Sequence, residues 1–347
     1  MDISKFDYEL SPELIAQEPC FPRDKSKLLS AIDNNFKDLS FSKLPELFSP
    51  GDVIVVNDTK VIKANLIGFK KEKKISFTLN KKLNKSQWLA YCKPSKKCNE
   101  NDIIKFKNNL IAKINKKFLN GEVLLEFNYL GEALTEKISS VGNLPLPPYI
   151  KNTRQEDNEK NYQTFFAKNE GAIAAPTAGL HFTKFILEKL KKKNIFVVPI
   201  TLHVGSGTFL PVKTSNIEDH KMHYESYEIS QKTSDIINQA INDNKKIISI
   251  GTTVTRTLEC VAKENGKIIP KKGSTNLFIK PGFDFKIVDY LLTNFHLPKS
   301  TLLILISSFF GYENVFKLYK HAIKNNYRFY SYGDCCLLPR KSFDGKI

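Results

Sequence analysis

The sequence predicts a layered α/β/α domain with a small antiparallel β-barrel inserted into it. Helical patterns alternate with short apolar strands in the second half of the chain. Before them lie six β-type runs, about ten residues apart, which are typical of a small barrel or sandwich. A length of 347 residues also suits two domains better than one core. We therefore expect a discontinuous large α/β domain over residues 1–60 and 149–347, and a barrel over residues 61–148.

The elements of the large domain begin with the strand-like run GDVIVVND. After the proline-rich PLPPYI linker, FTKFILEKLKKK predicts a helix and IFVVPITL a strand. SDIINQAINDN then predicts a helix before the apolar strand IISIG, and VTRTLECVAKE predicts another after it. Ser300 is the expected N-cap of the apolar helix TLLILISSFF, which is followed by a helix through YENVFKLYKHAIKNN.

The barrel is predicted from runs that are separated by Lys, Asn and Gly turns. They are NLIGF, KISFTLN, QWLAYCKPS, DIIKF, LIAKI and EVLLEF. No helical stripe interrupts them before GEALTEKI. The chain is therefore expected to enter the barrel near Asp58 and to leave it near the PLPPYI turn.

The charge of the chain is concentrated in this barrel. The net charge is +17, and residues 61–150 carry 17 lysines against seven acidic residues. A uniform bias toward lysine does not concentrate charge in this way, so a polyanionic partner such as RNA is favoured over a solvated basic face. The candidate RNA contacts are Lys93, Lys96 and Lys97 of the KPSKK turn, and Lys299.

Composition also argues against several classes of protein. The N-terminal segment has no apolar stretch typical of a signal peptide, and the run around TLLILISSFFG is too short to span a bilayer. The six cysteines show neither disulfide nor zinc spacing. We therefore expect a cytoplasmic protein that contacts no membrane and has no zinc knuckle.

Three segments between residues 171 and 228 carry four of the six histidines. They read GAIAAPTAGLHFT, TLHVGSGTF and HKMHYESYE. Histidine beside small residues suits a site where backbone approaches a ligand and imidazole exchanges a proton. The cluster predicts an enzyme with these histidines in one pocket.

The first two segments offer groups that bind a ligand. A small-residue turn entering a helix has free N–H groups for a carboxylate or hydroxyl. Its residues are Thr177, Ala178, Gly179 and His181. In the second segment Gly205 and Gly207 leave room for a base or sugar beside His203, and a plain β-bulge is the alternative.

The third segment offers an acid–base pair. Alternation along a strand places His223 and Glu225 on one face, where each can tune the protonation of the other. A metal site that also uses His220 has no further ligands nearby in the sequence, so proton transfer or hydrogen bonding is favoured.

Later segments add further candidates. Ligands of α/β sheets gather outside the carboxyl ends of strands, so the GTTVTR turn is expected to bind a carboxylate, with an ordinary ion pair of Arg256 as the alternative. Its candidates are Thr252, Thr253 and Arg256. Phe295 and His296 suit a pocket wall for base stacking, and Asp334 lies in the aromatic segment YRFYSYGD. A buried loop and a core strand are the alternatives.

Taken in order, these segments resemble the S-adenosylmethionine:tRNA ribosyltransferase-isomerase family of queuosine synthesis. The motifs are VVNDTKVIKANLIG, PLPPYI, YQTFFA, PTAGLHFT, TLHVGSGTF, MHYE, GTTVTRTLE, FIKPG, TNFHLPKSTLL and YRFYSYGD. The resemblance covers nearly the whole chain and implies an α/β domain with an inserted barrel. Lys60 and Asn65 stand where the family usually has Arg.

The resemblance also implies a reaction. The ribosyl part of S-adenosylmethionine passes to 7-aminomethyl-7-deazaguanine at the wobble position of tRNA, giving epoxyqueuosine, adenine and methionine without a metal. On this basis we expect three residues to share proton handling: His203, His223 and Glu225. Which of them is the base is left open. Thr252, Thr253 and Arg256 are then expected to hold the methionine end.

Two other classes of function are weighed against this one. A tRNA methyltransferase would use the same co-substrate, but its glycine fingerprint normally follows the first strand, where GDVIVVNDTK has none. A non-catalytic RNA-binding protein built on the basic barrel would leave the histidine cluster unexplained.

Overall fold

The structure combines β-strands with α-helices. The computed structural model describes residues 1–33, 35–119, 121–151, 155–205, 207, 212, 214–262 and 266–341, without the side chains of residues 155–157. In chain order the strands in this part are β1 (Lys27–Ser30), β2 (Lys37–Ser40), β3 (Val53–Asn57), β4 (Thr59–Val61), β5 (Asn65–Lys70), β6 (Lys73–Lys82), β7 (Gln87–Lys93), β8 (Ile103–Lys105), β9 (Ile111–Lys117), β10 (Glu122–Phe127), β11 (Asn169–Ala172), β12 (Phe196–Leu202), β13 (Glu225–Ile229), β14 (Ile247–Ile250), β15 (Lys271–Thr275), β16 (Tyr290–Asn294) and β17 (Cys335–Pro339).

The helices fall almost entirely after the barrel strands. They are α1 (Gly131–Val141), α2 (Gln155–Asn161), α3 (Lys184–Lys192), α4 (Gln231–Asn242), α5 (Thr252–Ala262), α6 (Thr301–Phe310) and α7 (Tyr312–Lys324). Ser300 caps α6 as expected, since its Oγ accepts a hydrogen bond from the backbone N–H of Leu303 at 3.1 Å. Among the described residues no single helix is long and apolar enough to cross a bilayer. In this part of the chain α6 and α7 taken together pass the test by length and composition, but the chain bends by 112° between them.

A nine-stranded mixed sheet forms the centre of the large domain. Its order is β15-β13-β12-β3-β14-β16-β17-β1-β2, and the central strands β12, β3, β14 and β16 are parallel to one another. Every residue of β3 and β14 is buried, which is what a sheet covered on both faces requires. Val55 packs in one apolar cluster with Leu258 of α5, whereas Ile54 packs in another with Leu190 of α3. The predicted α/β/α layering is therefore confirmed.

The six apolar runs of the basic segment form a closed six-stranded antiparallel barrel. Its order is β10-β7-β6-β5-β8-β9. Along β6, Ile75, Phe77 and Leu79 alternate into the barrel core, as the period of two predicts. The pairing of β6 with β7 then shifts by one residue between Leu79 and Lys81, which is a β-bulge. The barrel is confirmed as a fold, while the division at residues 61–148 stays a prediction.

Candidate active site

A cavity of about 1090 Å³ is lined by residues from both the barrel and the large sheet. The large domain contributes the segments around β12 and before β13. The barrel contributes side chains of β6, β7 and β10. Barrel and sheet meet at Gly205, where a Cβ would lie 3.9 Å from Glu225 Oε1 and 4.0 Å from Asn80 Oδ1. A ligand bound here would thus contact both parts of the chain.

Two imidazoles in the cavity pack directly against glycines. A Cβ on Gly171 would lie 2.8 Å from the His203 ring, and Gly171 also has a φ of +150°, a region that L side chains rarely adopt. A Cβ on Gly207 would clash with the imidazole of His223. These glycines are needed because the histidine rings occupy the space that any side chain would fill.

His203 is held by a buried hydroxyl group. Its Nδ1 lies 2.8 Å from Oγ1 of Thr59, a fully buried residue at the start of β4. Burial lowers the pKa of His203, although the carboxylates of Asp58 and Glu228 act in the opposite direction. The imidazole is therefore neutral near pH 7 and can accept a proton.

Glu225 and Arg256 form a buried ion pair beside these imidazoles. Arg256 Nη1 donates to Glu225 Oε2, and each side chain is only 6% exposed. The other oxygen of Glu225 accepts the backbone N–H of Gly205 at 2.9 Å. Arg256 Nε donates to the carbonyl of Leu277 at 3.0 Å, while its Nη2 is buried without a partner in the described part of the chain.

Six of the candidate residues named from the sequence line this cavity. They are His203, Gly205, Gly207, His223, Glu225 and Arg256. His220 lines it as well, whereas the fourth clustered histidine, His181, does not. The expectation that the four histidines share one pocket is therefore corrected. Ser206 and residues 208–211 lie outside the described residues.

The structure places nine other candidates away from the cavity. These are Thr177, Ala178, Gly179, His181, Thr252, Thr253, Phe295, His296 and Asp334. The turn from Thr177 to His181 is a separate 3₁₀ turn and does not begin α3. Two of its side chains are already paired, since Thr177 Oγ1 donates to Asn294 Oδ1 at 2.9 Å and His181 Nδ1 lies 2.8 Å from Ser26 Oγ.

The TNFHLP segment is a buried loop that packs internally. Phe295 is fully buried and its ring packs against Tyr319, Tyr327 and Phe329. His296 Nε2 lies 2.9 Å from Thr293 Oγ1. The alternative of a buried loop is thus what the structure shows, and the expectation of a stacking wall is corrected.

Asp334 and the two threonines of α5 also differ from the expectation. Asp334 accepts the backbone N–H groups of Lys27 and Arg328 at 2.9 and 2.8 Å, so it joins β1 to the segment before β17. Thr252 and Thr253 start α5 and do not line the cavity, whereas Arg256 lies one turn later and does line it. The three residues therefore do not form a single carboxylate site.

The lysines that were predicted to bind RNA lie on the surface but not around the cavity. Lys93, Lys96 and Lys97 are exposed at one end of β7. Lys299 forms an ion pair with Asp7 at 2.7 Å. Their contact with RNA stays a prediction.

Sequence reasoning missed the barrel wall of the cavity. Six lining residues come from its strands: Asn80, Lys81, Lys82, Trp88, Leu89 and Glu122. The sequence of these strands shows only an alternation of surface and core positions. No local motif therefore marks the residues that line the cavity. Trp88 is the single tryptophan of the chain, which was the one available signal. In the described residues no group of three or more His, Cys, Asp or Glu side chains is arranged to hold a metal ion.

The two fully buried histidines outside the cavity predict acid sensitivity. Burial lowers the pKa of His181 and of His296 from 6.5 to about 3. Below pH 6.5 the unfolded chain binds protons that the folded chain excludes, so stability falls by about 1.4 kcal/mol per pH unit for each histidine. His296→Gln removes one of these two groups. We therefore expect it to reduce the slope of unfolding free energy against pH by about 1.4 kcal/mol per pH unit, which corresponds to one proton. Urea unfolding between pH 4 and 6.5 measures that slope, and an unchanged slope would contradict the assignment.

The fold and the cavity together define an α/β enzyme with an inserted barrel and an imidazole-lined pocket. The model of a family described as queuosine biosynthesis protein matches residues 3–338. A protein of Brucella anthropi named S-adenosylmethionine:tRNA ribosyltransferase-isomerase is 46% identical, with 98% of each chain covered. A protein of the same name from Bradyrhizobium diazoefficiens is 47% identical and covers 96% of this chain and 95% of its own.

A solved structure agrees with these relatives. The crystal structure of S-adenosylmethionine tRNA ribosyltransferase from Thermotoga maritima is similar with a TM-score of 0.54 and 32% identity, covering 96% of this chain and 99% of that one. The chain therefore belongs to the queuosine biosynthesis family of S-adenosylmethionine:tRNA ribosyltransferase-isomerases and is an enzyme. The resemblance drawn from the sequence motifs is confirmed.

Proposed function

We propose that this enzyme transfers the ribosyl part of S-adenosylmethionine to 7-aminomethyl-7-deazaguanine at the wobble position of tRNA. The product is epoxyqueuosine, and adenine and methionine are released. The observation that carries this proposal is the cavity between the sheet and the basic barrel. It holds the neutral imidazole of His203, the side chain of His223 and the ion pair of Glu225 with Arg256. We further propose that the enzyme works in the cytoplasm without a metal.

The reaction explains why such a cavity is needed. A sulfonium group acidifies the neighbouring 5′ carbon, so that a base can remove a proton and open the ribose with loss of adenine. The aminomethyl group of the tRNA base then attacks the opened sugar, and closure of the epoxide expels methionine. These steps require a base, an acid for the departing adenine and a site that excludes water.

His203 has the geometry of the base. The hydroxyl of Thr59 contacts both His203 Nδ1 at 2.8 Å and the carbonyl oxygen of Asn169 at 3.4 Å. A carbonyl only accepts, so when the single hydroxyl proton of Thr59 is donated to Asn169, His203 Nδ1–H is the donor to Thr59. In that tautomer Nε2 is unprotonated, which is the form that accepts a proton.

Glu225 and Arg256 suit binding and positioning. The carboxylate of Glu225 is engaged by the guanidinium and by the N–H of Gly205, so it holds the backbone of the glycine segment in place. The buried Nη2 of Arg256 carries two N–H donors that lack a partner in the described residues. A ligand carboxylate, such as that of the methionine end, would satisfy them. His223 is left as the proposed acid for adenine.

The size of the cavity suits a ligand as large as S-adenosylmethionine. Pockets of about 300–1,000 Å³ hold one drug-sized ligand. At about 1090 Å³ the cavity lies just above this range.

Incubation with labelled S-adenosylmethionine and tRNA bearing 7-aminomethyl-7-deazaguanine tests this function. We expect free adenine and methionine in equal amounts, and no release when the tRNA carries guanine at that position. S-adenosylhomocysteine as the product would indicate methyl transfer instead. Tight binding of tRNA without turnover would indicate a binding protein, and either result would reject the proposal.

A further inference from the structure

Lysines surround the cavity on both sides. They are Lys60, Lys63, Lys81, Lys82 and Lys221. Lys60 pairs with Glu170 at 2.9 Å and Lys63 pairs with Glu159 at 2.6 Å. The other three have no acidic partner within 4.0 Å in the described part of the chain, and Lys81 and Lys82 are exposed. The uncompensated positive charge at the cavity is therefore largely on the barrel wall.

A β-bulge brings these barrel lysines to the cavity. In a regular strand, consecutive side chains point to opposite faces, so only alternate residues would line one surface. The register of β6 shifts between Leu79 and Lys81, and after this shift Asn80, Lys81 and Lys82 all line the cavity. Bulges change the direction of side chains in this way and are frequent beside active sites.

An aromatic side chain accompanies the two lysines. Trp88 of β7 pairs in register with Lys82, and Leu89 pairs with Lys81. Trp88 lines the cavity, is partly exposed, and its Nε1 has no hydrogen-bond partner within the described residues. Lysines beside a partly exposed aromatic ring are a combination that suits single-stranded nucleic acid, since cations contact phosphates and the ring stacks on a base.

We propose that Lys81, Lys82 and Trp88 form the binding site for the nucleotides that flank the modified base. This inference rests on the proposed function, which requires that one nucleotide of the tRNA enters the cavity. Phosphates next to that nucleotide contact the two lysines at the edge of the cavity, and the neighbouring base stacks on Trp88. The main RNA contact is then at the opposite end of β7 from the KPSKK turn.

The KPSKK turn supplies a matched control. Lys96 and Lys97 are adjacent, exposed and on the same barrel, as are Lys81 and Lys82, but they do not line the cavity. Replacing either pair by Ala removes the same charge from the same domain. If the two double variants differ in tRNA binding, the RNA contacts one pair of lysines directly. If they lose binding equally, the effect comes from the overall electrostatic potential of the barrel.

The experiment measures binding of the tRNA over a range of salt concentrations. For Lys81→Ala/Lys82→Ala we expect the slope of log affinity against log salt to fall by about two units, at about one per phosphate contact. Lys96→Ala/Lys97→Ala, which removes two lysines predicted from the sequence to contact RNA, should lower the slope by less than the cavity pair does. Both variants should keep the parent KM for S-adenosylmethionine. An equal loss in both pairs, or a loss only in the control pair, would overturn the proposal.

Trp88 gives an independent reading of the same site. Because it is the single tryptophan, its fluorescence reports on this location alone. We expect tRNA to quench it, Trp88→Ala to weaken tRNA binding by about fivefold or more, and Trp88→Phe to keep most of the affinity. Unchanged fluorescence at saturating tRNA would reject the site. Because these are binding measurements, they can fail while the parent enzyme still releases adenine, which separates this inference from the proposed function.

Discussion

Replacing His203 by Gln is expected to lower the rate of adenine release by about 10²–10⁴-fold, the usual contribution of a positioned general base. Gln has no group that accepts a proton near neutral pH, yet it can still hydrogen-bond to Thr59. The affinity for S-adenosylmethionine should therefore change little. Single-turnover adenine release, measured beside equilibrium binding of the co-substrate, separates the two effects.

Thr59→Val extends the same prediction to the residue that positions the imidazole. Removing the hydroxyl leaves His203 Nδ1 without its partner at 2.8 Å, so both tautomers become accessible and the rate falls by less than in His203→Gln. In the parent enzyme activity should be lost as the pH falls through the lowered pKa of His203, below 6.5. Thr59→Val should shift the pH at which activity is lost on the acidic side. If Thr59 had only a structural role, this pH would stay the same.

The control for both variants is His321→Gln, because His321 pairs with Asp38 and does not line the cavity. Its rate should equal that of the parent. A near-normal rate for His203→Gln would show that the base is another group, with His223 the next to test.

Glu225→Ala is expected to destabilise the enzyme by about 3–5 kcal/mol, the usual cost of leaving a buried charge unpaired. Arg256 is 5% exposed, and after the substitution its guanidinium would keep only the carbonyl of Leu277. Gly205 would also lose the acceptor of its backbone N–H. Urea unfolding followed by circular dichroism measures the change in free energy.

Glu228 on the same strand provides the comparison. It alternates to the exposed face of β13 and pairs with Lys272 at 3.0 Å, with side chains 48% and 77% exposed. Exposed pairs contribute at most about 1 kcal/mol, so Glu228→Ala should change stability little. Equal destabilisation by the two substitutions would contradict the buried-pair assignment. Glu225→Gln keeps the shape and one of the two accepting oxygens, so it is expected to fall between them.

Much of the fold follows from patterns that are local in the chain. Each of the six apolar runs of the basic segment became one barrel strand, because the alternation of apolar and polar residues specifies a half-buried strand wherever it lies. Ser300 marks the start of α6 because an N-cap needs only its own side chain and the next turn.

The candidate site was predictable only in part. His203, Gly205, Gly207 and His223 were found because short segments that combine histidine with glycine are typical of a ligand site. The glycines on which the imidazoles pack lie on other segments, Gly171 for His203 and Gly207 for His223. Phe295 could not be placed in this way. A Phe that faces a ligand and a Phe that faces Tyr319 occur in the same sequence pattern, and only the packing of α7 on that loop decides between them.

The sequence by itself determined the layered sheet, the barrel, the family and the glycine–histidine segments, because each depends on residues close together in the chain. Only the tertiary structure decided that Glu225 binds Arg256, that Thr59 holds His203, and that barrel strands complete the cavity. The physical reason is that these contacts join residues far apart in sequence. Their partners are set by how the barrel packs on the sheet, which no local periodicity encodes.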